Sequence, residues 1–105
     1  MAHLRRISDG VGDSGARSEA IAWNEDGTFK EIVGRRPIIG CSMLVGSVTA
    51  RSYASQDFWL TTQVTEILEE ITEEQTDYVK FRTGNSIYEW WEGAYPKEKF
   101  HTPEN

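Results

Sequence analysis

The strongest constraint on this chain is the stretch Tyr78–Trp91, in which two runs of strand-favouring residues flank Gly84-Asn85. Two-residue hairpin loops need positive φ at one or both central positions, which glycine supplies freely and asparagine tolerates. A reversal there sets Thr83 opposite Ser86 and continues as Arg82–Ile87, Phe81–Tyr88, Lys80–Glu89 and Val79–Trp90. Side chains alternate across a strand, so Val79, Phe81, Tyr88 and Trp90 share one face, and Lys80, Arg82, Ile87 and Glu89 share the other. Cross-strand pairs contribute roughly 0.2–1 kcal/mol each, whereas full burial of one large apolar side chain is worth about 1.5–3 kcal/mol. Burial therefore decides the register, because a one-residue slip would carry Lys80 and Glu89 into the core. A lone hairpin is marginal in water, so other segments must cover it.

With 105 residues the chain has length for one domain. Four Trp, four Tyr and four Phe suit a small β core built from few, large side chains. No apolar run is long enough to span a membrane, and the opening residues lack the apolar core of a signal peptide. The single cysteine, Cys41, cannot form an intramolecular disulfide, which fits a reducing, cytoplasmic setting. The net charge of −6 is uneven: residues 1–36 carry six basic and six acidic side chains, residues 37–105 five and eleven. So acidic a half repels a phosphate backbone and an anionic membrane, which argues against both as partners.

Residues 1–19 read as a flexible arm, since the stretch from Ser8 to Glu19 holds one apolar residue larger than alanine. Within it, Gly10, Gly12 and Gly15 match the spacing of a dinucleotide-binding loop. That pattern carries meaning only between a buried strand and a helix, and the residues before it are too polar for such a strand, so no cofactor is expected. Residues 20–95 form the expected domain. Ala20–Trp23 and Thr28–Val33 read as strands around the turn dipeptide Asp26-Gly27. The apolar run Ile38–Val48, interrupted by Gly40 and Gly46, suits a bent, buried strand, and Thr49–Asp57 a loop. Phe58–Ile71 fits two templates. Phe58, Leu60, Thr62 and Val64 alternate as in a strand, while Val64, Ile67, Leu68 and Ile71 follow helical spacing. A strand over 58–68 followed by an acidic connection is expected, with a short helix within 61–75 as the alternative. Residues 96–105 form a tail, with Tyr95 or Phe100 able to dock on the domain.

The acidic cluster Glu66, Glu69, Glu70, Glu73, Glu74 and Asp77 lacks the loop glycine of a calcium site and any nearby histidine for zinc, so no metal is expected. It reads as solvated surface or as a patch that imitates a nucleic-acid backbone. His3 and His101 lie in the two terminal segments, which gives a Ser/His or Cys/His arrangement no ordered base. Cys41 reads as a buried structural thiol. On the outer hairpin face, Trp91 lies opposite Tyr78, with Arg82 and Ile87 further along, and such residues are typical binding anchors. The competing reading is a second layer, made by the arm, the Ala20–Trp23 segment or a partner subunit in a homodimer, that covers them.

Trp59–Ile67 and Phe81–Tyr88 together resemble short uncharacterised bacterial and phage-borne proteins with a T-x-V-x-x-I strand followed by F-x-T-x-N-S-x-Y. The resemblance spans roughly residues 57–90, implies a small β structure and brings no activity. The expected fold is therefore mainly β: a small, partly open antiparallel barrel of about five or six strands, resembling an SH3-like fold. The expected function is a non-catalytic protein-binding module using Tyr78, Arg82, Ile87 and Trp91. The alternative is an acidic inhibitor using Glu69, Glu70, Glu73 and Glu74 to fill a basic groove, and an enzyme using Cys41 or the carboxylates stands furthest off.

Overall fold

The computed structural model of the chain describes residues 1–47 and 58–99. Eight strands follow in order: β1 (Ala2–Arg6), β2 (Gly12–Gly15), β3 (Arg17–Trp23), β4 (Phe29–Gly34), β5 (Ser42–Gly46), β6 (Phe58–Glu73), β7 (Thr76–Thr83) and β8 (Ile87–Gly93). A 3₁₀ turn spans Lys97–Lys99. The strands form one antiparallel sheet in the order β2-β1-β8-β7-β6-β5-β3-β4, which does not close on itself. The mainly β expectation holds, with eight strands in place of five or six. No helix among the described residues is long and apolar enough to cross a membrane.

The β7–β8 ladder has the expected register, Tyr78 opposite Trp91 through to Arg82 opposite Ile87. Val79, Phe81, Tyr88 and Trp90 are buried together, with Phe81 stacked on Tyr88 at 5.5 Å. The turn itself differs from expectation. Neither Gly84 nor Asn85 adopts positive φ. Instead the Thr83 hydroxyl oxygen accepts from the N–H groups of Asn85 (3.4 Å) and Ser86 (3.3 Å), while Thr83 N–H donates to Ser86 O at 2.8 Å. A side-chain oxygen that satisfies the turn amides stabilises the reversal without a left-handed backbone.

The helical alternative at 61–75 fails, and the acidic connection is strand as well. β6 runs unbroken to Glu73 and leaves Glu74-Gln75 as a tight turn into β7. Its first half pairs with β5 and its second with β7. Bulges between Val64 and Glu66 and between Ile67 and Glu69 bend the strand so that it can serve both partners.

The N-terminal arm expected over residues 1–19 is instead part of the sheet. β1 is paired on both sides, by β2 and β8, and Ala2 and Leu4 are buried in the core. Two of the glycines that follow have a steric origin. A Cβ on Gly12 would lie 1.8 Å from Leu4 O, and one on Gly15 would lie 1.9 Å from Gly46 O. Glycine stands where backbones approach closely, so its sparse side chains do not mark disorder. One residue, Ala16, joins β2 at one margin of the sheet to β3 near the other. The sheet must therefore curl until its two ends almost meet.

Gly15→Ala is expected to destabilise the fold by about 1–3 kcal/mol, as overpacking against backbone does. Gly84→Ala, with open space at its Cβ and no positive φ, should stay within about ±0.5 kcal/mol. Urea denaturation of the two variants checks this, and equal costs would contradict the close approach.

The remaining elements follow the sequence. Gly27 takes φ +88 in the β3–β4 turn, and Asp26 accepts from the Thr28 N–H and hydroxyl. β5 occupies the middle of the apolar run and is buried throughout. The expected loop at 49–57 lies outside the described residues. At the centre of the core, the indole N–H of Trp90 donates to Ser18 Oγ (2.9 Å), whose hydroxyl donates to Arg35 O (2.7 Å).

Candidate partner-binding surfaces

The outer face of β7–β8 brings Tyr78 and Trp91 together, but as half of a covered network rather than an open patch. Tyr78 is fully buried, and Trp91 is half-buried. After Gly93 (φ +78) the chain folds back over this face and places Tyr95 against both rings, edge-on to Trp91 at 4.8 Å and to Tyr78 at 5.9 Å. Lys99 lies over the Tyr78 ring at 5.4 Å and pairs with Glu69. Tyr78 is thus covered by a second layer, but that layer is the chain's own C-terminal segment rather than the arm or the Ala20–Trp23 segment.

At the centre of this network sits Glu89, which is buried although it lies on the outward side of β8. Register places it opposite Lys80, yet its carboxylate accepts from Arg5 (2.5 Å), Tyr78 (2.6 Å) and Tyr95 (2.7 Å). Burial alone would raise its pKa. The hydrogen bonds from Tyr78, Arg5 and Tyr95 outweigh burial and hold the carboxyl below its ordinary value. Burial, reinforced by the bond to Glu89, pushes the Tyr95 phenol up to about 12. The Arg5 guanidinium also lies over Trp91 (5.3 Å) and Tyr95 (5.4 Å).

Arg5 and Glu89 escaped the sequence reading, whereas Tyr95 docks on the domain as expected. Arg5 was assigned to a loose arm, and Glu89 to a surface pair. Its alternation with Trp91 and Tyr78 did signal that a carboxylate shares the aromatic face. Arg82 and Ile87 stand apart from this cluster. Arg82 is exposed and pairs with Glu66 at 3.3 Å, and Arg82 and Ile87 line a cavity of about 390 Å³ beside Ile7 and Asn85.

The acidic residues have a structural account. Past Val64, where β6 bonds to Gly40 and Cys41, the strand leaves β5 behind. Charges along such an edge discourage pairing with foreign strands. Glu70 and Asp77 are held by Arg36, at 3.2 and 2.9 Å, and Glu69 by Lys99. Glu73 and Glu74 stand exposed at the tip.

His3 belongs to β1 rather than to a loose end, with Nδ1 2.7 Å from Ser14 Oγ and its ring stacked on Trp91. Burial, with help from the terminal amino group, pushes its pKa down. His101 lies outside the described residues. The Gly10–Gly15 pattern falls on a β-hairpin, not between strand and helix. Cys41 is buried, and burial raises its thiol pKa, as for a structural cysteine. Among the described residues, no group of three or more His, Cys, Asp or Glu could hold a metal ion.

One surface had no counterpart in the sequence reading. β4 is the last strand of the sheet, and Phe29 (56% exposed), Ile32 (51%) and Val33 (48%) stand in solvent along it, followed by Ile39 (60%). Phe29 lies opposite Trp23 and Ile32 opposite Ile21, so both belong to one face. The strand was legible, but its place at the margin of the sheet was not.

The chain matches no known protein family, no curated protein and no solved structure.

Proposed function

We propose that the chain is a non-catalytic protein-binding module, built on a partly open, SH3-like curl of its sheet, that meets its partner along the apolar margin at β4. The observation that carries this reading is the exposure of Phe29, Ile32 and Val33 on one edge strand. Large apolar side chains left in water each forgo about 1.5–3 kcal/mol of burial. Their clustering beside strand backbone with no neighbouring strand among the described residues is characteristic of protein contact surfaces. The single cysteine, buried and free, fits action in a reducing compartment.

The double variant Phe29→Ser with Ile32→Ser is expected to stay folded, within about 0.5 kcal/mol of wild type, because both side chains are already mostly in solvent. Proteins retained by the immobilised wild-type chain from an extract of its source cells should be lost by the variant. Retention of the same proteins in the same amounts, or none above a blank column by wild type, overturns the reading.

An acidic surface that fills a basic groove is the second reading, and it draws on Glu73 and Glu74 at the β6–β7 tip. Glu69 and Glu70 would first have to leave Lys99 and Arg36.

A further inference from the structure

The underside of the C-terminal segment carries an inference independent of the β4 margin. Arg5, Tyr78, Glu89 and Trp91 come from β1, β7 and β8, all held in place by sheet pairing that owes nothing to the segment. Together they form a recess that meets every part of a tyrosine. Glu89 accepts the Tyr95 hydroxyl, Arg5 donates to it at 3.3 Å, and Trp91 and Tyr78 enclose the ring. Beyond the recess, Glu69 receives Lys99. The segment meets the sheet backbone at Ala94, whose N–H donates to Gln75 O (2.8 Å), just past the left-handed Gly93.

We infer that this recess is a tyrosine-reading site, kept shut by the chain's own Tyr95, and that its ligand is a partner segment carrying Tyr-Pro followed by a turn that sets a lysine three residues beyond the proline, as the Lys99 N–H to Pro96 O bond (3.0 Å) does in the occupant. The chemistry of the ligand is that of the occupant: a phenol for Glu89, an aromatic face for Trp91 and Arg5, and a cation for Glu69. A tethered occupant competes at an effective concentration in the millimolar range for a short linker, so the site opens to a partner only when Tyr95 is displaced. The hydroxyl bond to a charged acceptor supplies the discrimination: losing one such bond weakens binding about tenfold or more.

The experiment titrates the blocked peptide Ala-Tyr-Pro-Lys-Glu-Lys, and the same peptide with phenylalanine for tyrosine, into full-length wild type, Tyr95→Ala and Tyr95→Phe. Calorimetry gives the affinity, and the Trp91 indole resonance reports the place. Saturable binding is expected with affinity falling in the order Tyr95→Ala, Tyr95→Phe, wild type, and with the phenylalanine peptide about tenfold weaker on Tyr95→Ala. Tyr95→Phe keeps the ring and the packing, so if Tyr95→Ala fails to fold, its comparison with wild type decides. Three results overturn the inference: no saturable binding at millimolar peptide, equal binding of the two peptides, or binding to wild type as tight as to the variants. The double variant Phe29→Ser, Ile32→Ser should take up the peptide as wild type does, which separates a failure here from a failure of the β4 surface.

Discussion

Trp90→Ala should remove a large share of the stability of this domain and shift its urea midpoint far below that of wild type. Trp90 has no exposed surface and heads the fully buried side chains by volume. Truncating a buried tryptophan costs about 3–5 kcal/mol, against a total of roughly 5–15 kcal/mol for a domain of ordinary stability. The indole also donates to Ser18, so the variant removes a buried hydrogen bond along with the packing. The neighbouring substitution, Trp91→Ala, is the control. Trp91 is half-buried on the other face, and removing it forfeits ring contacts with His3 and Tyr95 worth about 0.5–1.5 kcal/mol each. Far-UV circular dichroism against urea should show a much larger loss for position 90 than for 91. Equal losses would mean that the two faces of the hairpin have been assigned wrongly.

Glu89→Ala is expected to be the second costly change, at about 3 kcal/mol, which is the lower end for breaking a buried ion pair. It leaves the hydroxyls of Tyr78 and Tyr95 without their acceptor, while Arg5, 43% exposed, can turn to water. Glu89→Gln isolates the charge. In the folded protein the Glu89 pKa is depressed, so the unfolded chain takes up the proton first as pH falls. The carboxylate's contribution is therefore complete above the ordinary glutamate pKa of about 4.3 and is lost as pH drops through the lower folded value. Urea midpoints measured from neutral pH into that acid range should fall more steeply for wild type than for Glu89→Gln. Parallel profiles would show that Glu89 is not the anion these three donors hold.

The sequence disclosed the pairing of β7 with β8 because alternation and a two-residue gap leave one register that buries four large side chains. The turn chemistry was misread for a physical reason. Gly84-Asn85 permits a left-handed turn, but Thr83 already satisfies the amides that such a turn would rearrange. In β6 the helix-like spacing of Val64 and Ile67 is produced by a bulge, since three residues of β6 span two of β7 there and return Ile67 to the face of Val64. Periodicity cannot distinguish that from a helical turn. The arm was misjudged because composition measures side-chain burial, whereas residues 12–15 are fixed by backbone approach. At the site, Tyr78 and Trp91 were legible as a local pair. Their partner Arg5 comes from a strand that becomes their neighbour only when β1 pairs with β8, whereas Tyr95 follows β8 directly in the chain.

That the first strand lies between the second and the eighth bears on how the protein comes into being. Ala2–Arg6 finds its full complement of bonds only when Ile87–Gly93 has left the ribosome. At about 5–20 residues per second the wait lasts several seconds, during which Leu4 and the apolar middle of the polypeptide have no finished core to enter. Assembly therefore waits on pairing between distant parts of the chain, and is slow for its size.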